Sequence, residues 1–136
     1  MNFSTASLCD HHAGLQIAEP LLRSFGGAAQ FSGVIATLKC FEDNSKIREI
    51  LGGPGAGRVL VVDGGGSHRC ALVDGKLAHL AQQNGWQGLL IYGCVRDVEA
   101  LKQLPVGILA LHAHPMLCHQ RDSGELDAVV PFAGIN

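Results

Sequence analysis

Aromatic side chains and formal charges are both scarce in this 136-residue sequence. Phe, Trp and Tyr make up 5% of the chain and Asp, Glu, Lys and Arg make up 16%, whereas 47% of the residues are apolar. A chain with this balance has enough apolar material for a core and too little charge to remain disordered. Its length is typical of one domain, which we place at residues 1–136. Aliphatic side chains must therefore build most of the interior.

Other absences argue against whole classes of function. The sequence has no run of Lys or Arg and a formal net charge of −2, so it lacks the electrostatic footprint of a nucleic-acid-binding protein. No apolar stretch approaches the roughly 20 residues that span a bilayer. The polar N-terminus at residues 1–13 does not resemble a signal peptide. We therefore expect a cytoplasmic protein that contacts neither nucleic acid nor membrane directly.

The cysteines are odd in number and scattered, and none forms a C-x-x-C pair. In a chain without a signal peptide they are predicted to be small buried residues, not a disulfide framework. A zinc site is the alternative, built from His112, His114 and Cys118 with help from His119 or from Cys9, His11 and His12, although none of these spacings matches a known structural zinc pattern. The five cysteines are Cys9, Cys40, Cys70, Cys94 and Cys118.

Short apolar runs alternate with helical patterns along the chain. Such alternation is typical of an α/β layered domain, which is the fold class we predict. Several predicted boundaries rest on specific residues: Asp74 precedes the longest helix, Gly85 ends it, and Gly93 ends the strand before Arg96. The predicted strands are 31–40, 58–62, 70–73, 88–92, 106–112 and 128–132, and the predicted helices follow 43–45, span 75–84 and run from 97 to 101.

Three turns could carry chemistry. The glycine-rich turn 63–67 can point backbone N–H groups at an anion or can simply be a tight turn, and it matches no nucleotide-binding pattern. The helix start at Asp74, Gly75, Lys76 and Leu77 can bind a carboxylate through free N–H groups, or Asp74 can be an ordinary N-cap. Arg96 and Asp97 follow a strand, where Arg can hold a carboxylate and Asp a divalent cation. The alternative there is an N-cap at Asp97 and a surface ion pair at Arg96.

The sequence carries several distinctive motifs in a fixed order, namely Phe25-Gly26-Gly27, residues 39–45, residues 58–67, Asn84-Gly85-Trp86, Gly88 and residues 93–97. Together these motifs resemble the RraA-like family over nearly the whole chain. The resemblance implies a swivelling β/β/α domain that assembles as a homotrimer, with its active sites near subunit contacts. Many members of that family resemble divalent-metal 4-hydroxy-4-methyl-2-oxoglutarate aldolases that also decarboxylate oxaloacetate, whereas others are regulators that bind and inhibit ribonuclease E.

The resemblance assigns roles to the candidate residues. Arg96 would bind the pyruvyl part of a small 2-oxo acid, and Asp97 would hold Mg²⁺ or Mn²⁺. The turn from Asp74 through Gly75 and Lys76 to Leu77 would contribute backbone N–H groups to the substrate. Cleavage or decarboxylation leaves a pyruvate enolate, whose negative charge the cation and Arg96 would stabilise. On this basis Arg96 and Asp97 are predicted to be catalytic, and inhibition of ribonuclease E is the alternative function.

Two departures from the family pattern bear on catalysis. The aldolase pattern is Asp, twenty residues, then Arg-Asp, with Gly-Asp before the helix, whereas this sequence has the inverted order Asp74-Gly75. Gly75 therefore stands at the position of the carboxylate, and proton transfer there is expected to be impaired. The sequence also ends at Asn136, where members of the family usually continue through another pair of strands. We expect a weaker subunit contact as a result.

Overall fold

Parallel strands form the centre of the computed structural model, which describes residues 3–136. The strands are β1 (Arg23–Ser24), β2 (Ile35–Lys39), β3 (Val59–Asp63), β4 (Ala71–Val73), β5 (Gly88–Val95), β6 (Gly107–Ala113) and β7 (Glu125–Leu126). The helices are α1 (Thr5–His11), α2 (Ser45–Leu51), α3 (Gly75–Gln83) and α4 (Val98–Lys102). This arrangement confirms the mixed α/β fold.

The strands lie in one sheet with the order β1-β6-β5-β3-β2-β7, and β4 pairs with β5 beside this path. The pairs β2–β3, β3–β5, β4–β5 and β5–β6 are parallel, whereas the short edge strands β1 and β7 are antiparallel to their neighbours. The carboxyl ends of β4 and β5 therefore meet at the same edge of the sheet. That is the edge at which α/β proteins usually bind ligands.

Both faces of the central strands are covered, which explains why β3 is a continuous apolar run. Leu60 and Val62 belong to the main core, which also includes buried residues of α2 and α3. Val59 and Val61 on the opposite face pack in a second cluster with Val130. Phe31 and Phe132, which lie outside the strands, also cover this second face. The sheet is thus sandwiched between helices and irregular segments.

Phe31 lies over two glycines of adjacent strands. A Cβ atom at Gly107 would overlap with Phe31 Cδ1, and one at Gly88 would overlap with Phe31 Cδ2. Because both separations are far below van der Waals contact, these positions can only be glycine while the ring stays in place. The register places Gly88 opposite Gly107, so the pair forms a slot for the ring at the start of β5 and β6.

Three predictions about strands differ from the structure. The strand predicted at 31–40 is shorter, since β2 spans Ile35–Lys39. β5 does not stop at Gly93 but continues to Val95, because new partners are available beyond the glycine: Cys94 pairs with Ala71 on one side and with His112 on the other. The predicted strand 128–132 is not a strand. Ala128, Val130 and Phe132 pack on the second face of the sheet, and among residues 3–136 the only β-pairing of this segment is an isolated bridge between Phe132 and Ile135. Burial, not strand pairing, produced that apolar pattern.

The prediction that no disulfide forms is also wrong. Cys70 and Cys118 are bonded to each other across 48 positions of the sequence. Cys40 and Cys94 are buried free thiols, as expected, but Cys9 is exposed on α1. Burial raises the pKa of Cys40 to about 12, and the nearby carboxylates of Asp43 and Asp63 contribute. Cys70 precedes β4 and Cys118 follows β6, so the sequence around either cysteine does not indicate that the two are paired.

A buried carboxylate anchors the segment after β6. Asp43 is fully buried, and its Oδ2 accepts hydrogen bonds from the backbone N–H groups of Arg121 (2.9 Å) and Ser123 (3.0 Å) and from the Ser123 hydroxyl (2.9 Å). Its Oδ1 accepts from the N–H (2.9 Å) and the hydroxyl of Ser45. Burial alone would raise the pKa of Asp43, but these hydrogen bonds outweigh burial and hold the pKa well below its ordinary value. The ionised carboxylate thus ties residues 121–123 to the start of α2.

In the described part of the chain, no helix is both long enough and apolar enough to cross a membrane.

Candidate active site

The extension of β5 to Val95 places Arg96 and Asp97 at the carboxyl end of the strand. The Arg96 N–H donates to the Val73 carbonyl (3.0 Å), so the chain is still held against β4 at this point. Asp97 then adopts a left-handed conformation with φ of 58°, and its carbonyl accepts from Leu101 N–H (3.0 Å) in α4. A left-handed residue other than glycine is strained, and such strain tends to be found at functional sites.

The Asp97 side chain does not cap α4, which corrects the N-cap alternative. No side-chain capping bond forms at that helix start. Instead, Asp97 Oδ2 accepts from the N–H of Gly75 at 3.0 Å, at the start of α3. Asp97 is about half exposed, and no hydrogen bond from residues 3–136 reaches its Oδ1. The carboxylate therefore bridges two helix starts and still has a free oxygen.

Asp74 is the N-cap of α3, as one of the two interpretations predicts. Its Oδ1 accepts from Leu77 N–H at 2.9 Å, and its side chain is buried. Together Asp74 and Asp97 occupy the N–H groups of Leu77 and Gly75. Within residues 3–136, the Lys76 N–H has no hydrogen bond. Of the N–H groups of Gly75, Lys76 and Leu77, which the sequence predicted as donors to a substrate, only that of Lys76 is open within residues 3–136, because the protein's own carboxylates occupy the other two.

The Arg96 guanidinium lies between these two carboxylates. Its Nη2 is 3.8 Å from Asp74 Oδ2, its Nε is 4.0 Å from Asp97 Oδ2, and its Nη1 donates to the carbonyl of Pro115 at 3.3 Å. The Nε atom is buried and has no hydrogen-bond partner. A buried donor without a partner is costly, so such atoms in native proteins are few. The structure thus brings Arg96, Asp97 and Asp74 together as a group.

A shallow cavity of about 270 Å³ opens beside this group. The sequence predicted Arg96 and Asp97 for this site but did not predict the wall after β6, where His114 was considered only as a zinc ligand. No local motif marks that wall, because the pairing of β5 with β6 brings it to the site. The lining residues are Arg96, Asp97, Val98, Ala113, His114 and Pro115.

The residues present fit a divalent cation of the Mg²⁺ type. Asp97 Oδ1 is a hard oxygen ligand at an open surface, and Mg²⁺ usually takes one or two carboxylates and keeps several waters. Charge supports the same view, since the two carboxylates outnumber the one guanidinium. The group is therefore net negative and would repel an anionic substrate unless a cation joined it.

Two other candidate sites receive no support. In the turn 63–67, the N–H groups of Gly64 and Gly66 both donate to the Tyr92 carbonyl, and that of Gly65 donates to Asp63 Oδ1. Its N–H groups are thus used internally, and Gly65 and Gly66 both have positive φ, as a tight turn requires. The zinc alternative is wrong for Cys118, whose sulfur is in the disulfide. Among residues 3–136 no group of three or more His, Cys, Asp or Glu side chains could hold a metal ion.

Comparison with known proteins identifies the family. The family model described as RraA-like, Aldolase/RraA, matches residues 5–136. The chain belongs to the RraA-like family. An RraA-like relative from Methylococcus capsulatus is 55% identical, covering 100% of this chain and 86% of its own length, and one from Laribacter hongkongensis is 56% identical, covering 98% and 85%. Both are provisionally named 4-hydroxy-4-methyl-2-oxoglutarate aldolase.

Solved structures show the same RraA-like fold under different names. The RNA-processing inhibitor RraA from Thermus thermophilis has a TM-score of 0.96 at 42% identity, covering 99% of this chain and 82% of that one. A structure from Geobacillus kaustophilus, titled an S-adenosylmethionine:2-dimethylmenaquinone methyltransferase, has a TM-score of 0.93 at 41% identity, covering 98% and 83%. Since the names of these neighbours disagree about activity, the function must be inferred from the site.

Proposed function

We propose that this RraA-like protein is a divalent-metal-dependent lyase that acts on small 2-oxo acids. The observation that carries the proposal is the guanidinium of Arg96, with its unpartnered Nε, beside the half-exposed carboxylate of Asp97 at an open cavity. A guanidinium donor and a metal-binding oxygen at such spacing suit a carboxylate with a neighbouring carbonyl. The aldolase names of relatives at 55% and 56% identity support the same chemistry.

Arg96 would bind the substrate carboxylate, and its orientation is set by three contacts. The Pro115 carbonyl and the carboxylates of Asp74 and Asp97 surround the guanidinium, so it is held in place before substrate arrives. Asp97 would hold Mg²⁺ or Mn²⁺ through Oδ1, and the bound cation supplies a Lewis acid for the 2-oxo oxygen. As negative charge grows on the departing pyruvate enolate, the positive charge of Arg96 becomes more stabilising.

The inverted turn favours one of the two reactions. Cleavage of 4-hydroxy-4-methyl-2-oxoglutarate requires a base for the 4-hydroxyl proton, and the products are two molecules of pyruvate. Decarboxylation of oxaloacetate requires no such base, because the carbon–carbon bond breaks to give carbon dioxide and the enolate. Asp74 is committed to Leu77 N–H and faces Arg96, so it is a poor base. We therefore propose that oxaloacetate is decarboxylated faster than the aldol is cleaved.

The test is pyruvate release from oxaloacetate with added Mg²⁺ or Mn²⁺ and after chelation. Asp97→Asn is the informative variant because Asn tolerates the left-handed conformation and matches the shape of Asp, so the charge is the main change. We expect at least a hundredfold lower kcat/KM and weaker metal binding. Asp127→Asn is the matched control, since Asp127 is also left-handed at φ of 54° and is exposed away from the site. Metal-independent turnover, or equal activity in both variants, would contradict the proposal.

Inhibition of ribonuclease E is the second candidate, because the RraA inhibitor structure matches with a TM-score of 0.96. If the protein acts by binding ribonuclease E through its surface, replacing the metal ligand Asp97 should not change the inhibition. Slower RNA cleavage by ribonuclease E in the presence of the protein, unchanged by Asp97→Asn, would support this candidate. No association at micromolar protein would remove it. We also propose a homotrimer, which light scattering of the purified protein would test.

A further inference from the structure

We propose that His114 binds the second carboxylate of the substrate and so selects dicarboxylates over monocarboxylates. The inference rests on the proposed function, since it assumes that Arg96 takes the carboxylate next to the 2-oxo group. His114 and Pro115 line the same cavity as Arg96 and Asp97.

The backbone holds His114 in register with the site. Its N–H donates to the Val95 carbonyl at 2.9 Å, so His114 stands beside the end of β5, one residue before Arg96. The next residue, Pro115, accepts from Arg96 Nη1 at 3.3 Å. The imidazole is half-buried and lines the same cavity as the guanidinium. Arg96 and His114 are therefore fixed to each other through two adjacent backbone contacts.

The ring nitrogens of His114 have distinct roles. The backbone N–H of Met116 donates to His114 Nδ1 at 3.1 Å. A nitrogen that accepts a hydrogen bond carries no proton, so in the neutral ring the proton is on Nε2. The hydrogen bond from Met116 therefore sets the neutral tautomer in which Nε2 carries the proton and can donate it. A preset N–H donor beside a cation suits a second carboxylate, which needs donors and no acceptors.

Oxaloacetate and 4-hydroxy-4-methyl-2-oxoglutarate both carry a carboxylate beyond the bond that breaks, whereas pyruvate does not. Arg96 and the cation held by Asp97 would account for binding of the pyruvyl end that all three share. The Nε2–H of His114 would add a hydrogen bond that only the dicarboxylates can accept. The chemical class that this site selects is therefore the 2-oxo dicarboxylate.

Two substitutions separate substrate contact from loop structure. His114→Asn keeps an oxygen near the place of Nδ1, so Met116 N–H keeps an acceptor, but the Nε2 donor is lost. His114→Gln loses the Nδ1 acceptor and places an amide N–H near the place of Nε2. His12→Asn, on an exposed histidine near the N-terminus, is the matched control. Thermal melts of all variants verify that they fold.

The experiment measures KM and kcat for oxaloacetate and the inhibition constant of pyruvate, with calorimetric dissociation constants for both. For His114→Asn we expect about a tenfold or larger rise in the KM for oxaloacetate, as for loss of a hydrogen bond to a charged group, with the pyruvate constant unchanged. The kcat should not fall, because the distal carboxylate leaves as neutral carbon dioxide. His114→Gln should retain most of the preference for oxaloacetate over pyruvate.

The outcomes distinguish the two proposals. If wild-type protein turns over oxaloacetate but His114→Asn changes neither its KM nor its dissociation constant, the role of His114 is overturned and the lyase stands. Equal weakening of oxaloacetate and pyruvate, or a drop in kcat, indicates only a structural role and also overturns it. If wild-type protein binds both acids without turnover, the lyase falls and the calorimetric ratio still decides His114. If it binds neither, both proposals fall.

Discussion

The disulfide between Cys70 and Cys118 closes a loop that contains most of the proposed active site. β4, α3, β5, α4 and β6 all lie between the two cysteines. The backbone already joins the same segments, because Ala71 N–H donates to the Met116 carbonyl (2.7 Å) and Cys118 N–H donates to the Ala71 carbonyl (2.9 Å). Reduction should therefore leave the native structure intact and act mainly on the unfolded chain.

The magnitude follows from the length of the closed loop. For a separation of 48 residues, the chain-entropy model gives a loss of about 4 kcal/mol in the free energy of unfolding on reduction. Small domains are stable by only about 5–15 kcal/mol, so this is a large part of the total. The reduced protein should unfold at clearly lower urea concentration. Its m-value should be higher, because an unfolded chain without the link exposes more surface.

The assay is urea unfolding with and without a phosphine reductant. The matched control is the Cys70→Ser, Cys118→Ser double variant, whose urea midpoint should not respond to reductant. Thiol titration of unfolded protein should find three free thiols before reduction and five after it. In the native state only Cys9 should react quickly, because Cys40 and Cys94 are buried and their pKa values are raised. Five free thiols without reductant, or equal midpoints in both states, would refute the reasoning.

Three further predictions concern single positions. Asp43→Asn should lower the free energy of unfolding by roughly 3 kcal/mol, because an amide cannot accept all the bonds now made. The pKa of Asp43 is lower in the folded state, so its contribution to wild-type stability is complete above the ordinary carboxyl pKa and declines as pH falls below it. Urea midpoints measured from pH 6 to pH 3 should therefore decline less for the variant than for the wild type. Gly75→Asp should raise aldol cleavage relative to decarboxylation by about tenfold, because it supplies a carboxylate as the base. A Cβ atom at this position has room, since it would lie 3.5 Å from the Asp97 carboxylate. If the ratio of pyruvate released from the aldol to pyruvate released from oxaloacetate is unchanged, the role given to position 75 is contradicted. Gly107→Ala should cost about 1–3 kcal/mol by displacing Phe31, which a melting temperature unchanged from wild type would disprove.

Local patterns were sufficient for much of the fold. The continuous apolar run at β3 indicated a strand covered on both faces, and the structure buries all five of its residues. Asp74 and Gly85 marked the limits of α3 by ordinary capping chemistry, and Gly85 has the positive φ expected of a helix terminator. These features depend on residues close together in the chain, so a sequence reveals them.

Long-range pairing set the features that were predicted wrongly. Gly93 does not end β5 because β4 and β6 supply new partners, and no residue near Gly93 shows that. The apolar pattern at 128–132 reports burial on a sheet face and cannot distinguish packing from pairing. Cys70 and Cys118 become neighbours only when the segment after β6 returns to β4.

The sequence by itself determined the α/β class and the family, and it singled out Arg96 and Asp97 as candidate site residues, since each follows from motifs that are contiguous in the chain. Only the tertiary structure decided how those residues are used. The left-handed turn at Asp97 directs its carboxylate to Gly75 instead of to α4, and the return of the chain after β6 brings His114 and Pro115 to the same cavity. The reason is that an active site depends on the distances between atoms of different strands, and those distances exist only after the strands have paired.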